Sequence, residues 1–104
     1  MENEIKLTAV ALKALADQRR LKIINLLAAG KMCVCDLTEN LDISQPNMSH
    51  HLKVLKNVDL IRAKKSGKWV FYEINQEKLN KLQQNLDIII NQQPREDEIE
   101  KSDC

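Results

Sequence analysis

Apolar residues recur at helical spacing almost from the start of the chain. Over residues 5–16, Ile5, Ala9, Leu12 and Ala16 form one stripe, and Leu7, Ala11 and Leu15 form a second. A helix apolar on two sides fits between its own core and a partner better than on an open surface. Asp17 is placed to cap a second helix over 17–27, with Leu21, Ile24 and Leu27 inward and Gly30 as its stop. Arg19 and Arg20 fall in its first turn, where a solvated face is the simpler reading and an approach to phosphate the alternative. A short helix is predicted over 34–41, followed by a tight connection at Asp42-Ile43.

The next helix carries the clearest pattern. Ser44 can cap it by accepting from the backbone N–H of Asn47, and Pro46 sits in the first turn, where a missing N–H costs nothing. Projected at about 100° per residue, Met48, His51, Leu52 and Leu55 share one side. Pro46, His50, Lys53 and Asn57 point the other way, flanked by Asn47 and Ser49. That outer face is short-chained, hydrogen-bonding and mildly basic, which suits base edges and phosphates in a major groove. A short helix, a tight turn and a capped polar helix together have helix-turn-helix form.

Two β-rich runs follow, 60–65 and 68–74, around Ser66-Gly67. In the second, Trp69, Phe71 and Glu73 alternate with Val70, Tyr72 and Ile74, and Gly67 supplies the positive φ that a tight hairpin needs. A basic hairpin directly after a DNA-reading helix is a wing. Arg62, Lys64, Lys65 and Lys68 are its candidate phosphate contacts, though a charged hairpin also serves as a soluble edge. A last helix is predicted over 76–92, with Leu79, Leu82, Leu86 and Ile89 in a stripe widened by Ile88 and Ile90. Consecutive isoleucines on a terminal helix imply cover by something other than water. The fold class expected is mainly α with a small β-hairpin, a winged helix-turn-helix spanning 1–92. Residues 93–104 are expected to be an acidic, disordered tail.

Composition narrows the class. The 104 residues are 43% hydrophobic and 30% charged, as in one small domain whose modest core would gain from pairing with a second copy. Formal net charge is only +1, but residues 44–78 hold seven Lys and Arg against three Asp and Glu. That local excess points to localised rather than diffuse nucleic-acid contact, and the helix-turn-helix form makes double-stranded DNA the expected partner. No apolar run approaches the length of a membrane span and no targeting segment is visible, so no membrane partner is expected. The three cysteines, two of them in Cys33-Val34-Cys35, make a poor disulfide framework and suit a reducing cytoplasm and a thiolate site.

The segments CVCDL, SQPNMSHHLKVLK and LIRAKKSGKWVFYEI resemble the ArsR/SmtB family of metal-responsive repressors, most closely its arsenic-responsive branch, over residues 5–92. The resemblance implies a homodimer, joined through its first and last helices, that leaves its operator when an inducer binds. It also implies that the inducer is As(III) or Sb(III), held by Cys33 and Cys35. No cofactor is implied. Many arsenic-type members carry a third cysteine where this chain has Thr38. Cys104, of the same or the partner subunit, and a small-molecule thiol are the candidates for a third sulfur. The zinc and cobalt members use His and carboxylates of the last helix, which here has Asp87 and no His. Cadmium and lead members add cysteines from the N-terminus, and residues 1–32 contain none.

On a regular helix, residues i and i+2 point about 200° apart. Cys33 and Cys35 therefore bind one ion together only if Cys33 lies before the first turn or if that turn unwinds. A thiol-redox switch is a weaker reading, because a disulfide between them would close a small strained ring. An enzyme is weaker still, since no acid pair, glycine-rich loop or catalytic partner accompanies the thiols. The residues expected at DNA are Ser44, Gln45, Asn47, Ser49, His50 and Lys53, with the wing cations beside them.

Overall fold

The computed structural model describes residues 1–93, so the expected tail beyond its first residue, with Cys104, lies outside the described residues. Five helices and three short strands follow in the order α1 (Glu2–Leu15), α2 (Gln18–Leu27), β1 (Met32–Cys33), α3 (Val34–Leu41), α4 (Gln45–Asn57), β2 (Ile61–Ser66), β3 (Trp69–Ile74) and α5 (Gln76–Ile90). This is a winged helix-turn-helix. Among the described residues no helix is long and apolar enough to cross a membrane.

Local chemistry sets the boundaries. Asp17 caps α2 by accepting from the backbone N–H groups of Arg19 and Arg20, and Asn75 caps α5 by accepting from that of Lys78. Helix α3 ends at Asp42, in the left-handed region at φ 50° and ψ 47°, a conformation Asp tolerates better than most residues. Ile43 and Ser44 then lead straight into α4. The hairpin turn is Gly67-Lys68, one residue later than the sequence suggested, because Ser66 pairs with Trp69. Gly67 has φ 62° while Lys68 keeps an ordinary negative φ, as a type II′ turn requires of its two central residues.

The core joins α2, α3, α4 and β2. Ile23, Leu27, Leu37, Met48, Leu52, Leu55, Leu60 and Ile61 are all at most 2% exposed. Tyr72 and Ile74 close the core from β3, and Leu79 and Leu82 from α5. One sequence expectation fails here. Leu21 is 51% exposed, and Ile23 takes the inward position on α2. Helix α2 has apolar residues at 21, 23, 24, 26 and 27, so its periodicity alone does not fix which way it faces.

Strand β1 was not foreseen. It pairs antiparallel with β3, Met32 opposite Tyr72 and Cys33 opposite Phe71, giving a sheet of order β1-β3-β2. The hairpin is thereby tied to the segment that carries the thiols.

Candidate functional site

The capped helix α4 presents the surface expected of it. Its buried side is Met48, His51, Leu52 and Leu55, while Gln45, Asn47, Ser49, His50 and Lys53 are exposed. Ser44 is exposed too, and its Oγ accepts from the backbone N–H of Asn47 at 3.4 Å. The helix contains no Asp or Glu. Its outer face therefore offers donors, acceptors and positive charge to a polyanion with no carboxylate to repel it.

The wing cations divide into two pairs. Arg62 Nη2 donates to Asn75 Oδ1 at 3.0 Å, and Asn75 Nδ2 donates to the carbonyl oxygen of Asp59 at 2.9 Å. Lys64 Nζ stands 3.0 Å from Glu73 Oε1. Arg62 and Lys64 are therefore each engaged by a side chain of the fold. Lys65 and Lys68, near and in the turn, form no ion pair among the described residues, and Trp69 beside them is 50% exposed. The wing's free charge is concentrated at its tip.

The two thiols lie at the N-terminus of α3, in different settings. Cys33 is the last residue of β1 and the N-cap of α3, with extended backbone at φ −81° and ψ 167°. It lies before the first turn, the first of the two arrangements that would let both sulfurs approach one ion. Cys33 is 8% exposed, and its Sγ accepts from the backbone N–H of Asp36 at 3.4 Å. That hydrogen bond pulls its pKa down, but burial and the neighbouring Asp36 and Cys35 outweigh it, leaving the thiol above its ordinary pKa. Cys35 is exposed in the first turn. Thr38 donates its hydroxyl to the carbonyl oxygen of Cys35 at 2.9 Å, which commits its proton to the helix. Among the described residues, no group of three or more His, Cys, Asp and Glu gathers in a metal-binding arrangement.

These thiols connect to both α4 and the wing. Leu37, fully buried, packs α3 into the core beneath α4. Through β1, Cys33 sits opposite Phe71 of the wing, and Lys31 Nζ lies 5.2 Å from the centre of the Phe71 ring. Sequence reasoning missed this link, since a two-residue strand has no periodicity to detect.

The helices at the chain's two ends leave apolar surface open. Helix α1 buries only Thr8, Ala11 and Ala14, while Ile5, Leu7, Val10 and Leu12 are 40–52% exposed. On α5, which packs against α1, Leu86, Ile88 and Ile90 are 36–68% exposed. So many half-bare apolar residues on two packed helices make them a candidate association surface.

Known proteins are similar to this chain in sequence and in fold. The family model described as bacterial regulatory protein, arsR family, matches residues 17–63. An arsenical resistance operon repressor of Staphylococcus xylosus is 46% identical over 78 residues, 75% of each chain. One from Bacillus subtilis (strain 168) is 48% identical over 71 residues, covering 67% of this chain and 68% of the relative. Among solved structures, the homodimeric winged helix-turn-helix DNA-binding domain Mb0332 from Mycobacterium bovis, a possible ArsR-family transcriptional regulator, superposes with a TM-score of 0.70. It is 28% identical, covering 93% of this chain and 84% of that one.

Proposed function

The chain belongs to the ArsR family of bacterial regulatory proteins, and from that premise we propose a homodimeric transcriptional repressor released from operator DNA by arsenite or antimonite. The observation that carries the reading is the placement of both thiols at the N-terminus of α3, the helix packed directly beneath the DNA-facing helix α4. Two copies of α4 enter successive major grooves. Gln45, Asn47, Ser49 and His50 read base edges, and Lys53, with Lys65 and Lys68 of the wing, holds phosphates. The similar repressors named for arsenical resistance supply the inducer class.

The donor set fits a thiophilic, trivalent ion in part. Two thiols displace two hydroxyl groups of arsenous acid, each departing as water with a thiol proton, so the raised pKa of Cys33 is no obstacle to the overall exchange. The third position keeps a hydroxyl or takes another thiol, with Cys104 as the candidate within the chain. To join Cys35 on the exposed side of α3, the Cys33 sulfur leaves its buried seat and its hydrogen bond to the Asp36 N–H. That movement disturbs the α3 cap and the β1–β3 pairing together. An ion that favours the disturbed form necessarily disfavours the DNA-bound one.

A thiol-redox sensor is less well supported. Burial and a raised pKa leave Cys33 short of thiolate, the form that oxidants attack. Arsenic-edge X-ray absorption on the loaded protein tests the reading. Two or three sulfur neighbours per arsenic are expected, falling when Cys33 is replaced by Ser. An arsenic coordinated by oxygen alone would end it.

A further inference from the structure

Arg20 turns away from solvent. From the first turn of α2 its Nε donates to the carbonyl oxygen of Ala14, near the end of α1. Its Nη1 lies 3.2 Å from Nδ1 of His51, in the middle of α4. The Arg20 backbone N–H donates to Asp17 Oδ1 at 3.3 Å, so the residue is also fixed at the α2 cap. Arginine has donors and no acceptor. His51 Nδ1 is therefore the acceptor, and the ring is neutral with its proton on Nε2. His51 is 5% exposed, and burial is the main influence lowering its pKa. Asp17 opposes that shift, and Arg20, Arg19 and His50 add to it. Neutral imidazole and charged guanidinium are thus mutually consistent.

One side chain consequently joins three helices. Helix α1 carries the apolar surface read above as the subunit contact, and α4 carries the surface read as the DNA contact. We propose that Arg20 is a positioning residue for sequence recognition: by holding His51 against the end of α1, it fixes the roll of α4 relative to the dimerisation helix. His50, the neighbour of His51, shares the exposed face with Asn47 and Lys53. A roll of about 10° displaces a group roughly 6 Å from the helix axis by about 1 Å, enough to spoil a hydrogen bond to a base edge. Phosphate contacts from long lysines tolerate such a shift. Loss of Arg20 should therefore harm discrimination between sequences more than attachment to DNA.

The inference rests on the DNA-binding reading, so its test begins with a duplex enriched by the parent protein from a random-sequence pool. If no duplex is enriched, it is the DNA-binding reading that fails, and this inference falls with it. With one in hand, affinity for the enriched and a scrambled duplex is measured over a range of salt for Arg20→Gln, His51→Leu, the double variant and His51→Asn. Each of the first two should lower the preference for the enriched duplex roughly tenfold or more, as for a hydrogen bond to a charged group. The double variant should lose no more than either alone. His51→Asn, whose carbonyl oxygen can replace Nδ1 as acceptor, should keep most of the preference. Dimerisation and the salt slope should stay unchanged.

Equal weakening on both duplexes, with the salt slope reduced by about one unit, would show instead that Arg20 touches a phosphate. Additive losses in the double variant would show that the two residues act separately. Either result overturns the proposal, as does an unchanged preference in Arg20→Gln. Should that variant fail to fold, nitrogen NMR of the His51 ring in the parent protein decides. A proton on Nε2 with Nδ1 accepting supports the contact, and a proton on Nδ1 refutes it.

Discussion

If α1 and α5 form the subunit contact, a charge placed on their open apolar surface should separate the subunits without unfolding either one. Leu86 is the position to change. It is 36% exposed, whereas Leu82, one turn earlier, packs against the core, and a charge there would damage the subunit itself. About a third of the leucine's transfer free energy remains to be gained on association, or about 0.5–1 kcal/mol per subunit. In a two-fold dimer each change occurs twice, so Leu86→Glu forfeits about 1–2 kcal/mol of apolar burial. The larger effect is the carboxylate. Closing the interface over two unpaired charges costs at least about 2 kcal/mol each. The total, about 5 kcal/mol, should raise the dimer dissociation constant by roughly three to four powers of ten. Sedimentation velocity across micromolar concentrations reads this directly, with circular dichroism to verify that helix content is retained. A folded Leu86→Glu protein that dimerises within about tenfold of the parent would show that this surface is not the interface.

Other outcomes follow from the same geometry. Asn47→Ala and His50→Ala should each cost about 1–3 kcal/mol at one operator position and relax the base preference there; unaltered preference in a base-by-base binding series would remove α4 from the reading role. Lys65→Gln and Lys68→Gln should each reduce the salt dependence of DNA affinity by about 0.9 in log–log slope. Arg62→Gln and Lys64→Gln, whose parents are held by Asn75 and Glu73, should change that slope much less, and the reverse ranking would refute the division of the wing. Leu37→Ala should lower unfolding free energy by about 2–5 kcal/mol in urea titration, because the side chain is fully buried between α3 and its neighbours. A loss well under that range would mean α3 is not anchored as described.

The half of the molecule that holds α4 and the wing was legible because each local signal agreed with the others. Ser44 and Pro46 mark a helix start, the stripe from Met48 to Leu55 fixes its inward side, and Gly67 marks the turn of the wing. The bounds of α3 and the outward set on α4 followed from those signals. What escaped depended on partners distant in sequence. Cys33 and Met32 form a strand only because β3 lies alongside, and the inward face of α2 is chosen by what packs on it. Arg62 reads in the sequence as a candidate phosphate ligand, and its hydrogen bond to Asn75, 13 positions later, has no signal there. Arg20 looked solvated, since nothing in the sequence places it beside a residue 31 positions later. Cys33 as an N-cap was hidden for a chemical reason: the usual capping residues carry oxygen, and here a sulfur takes that place.

The central claim is that the thiols of α3 control the grip of α4 on DNA. Cys33→Ser tests it cleanly, because serine can also cap α3 by accepting from the Asp36 N–H and so preserves the local fold. The measurement is operator affinity of that variant with and without arsenite, beside the parent protein. The variant should bind operator as tightly as the parent and stay bound when arsenite is added, while the parent is released. Release of Cys33→Ser by the same arsenite concentration that releases the parent would contradict the account and move the inducer site elsewhere.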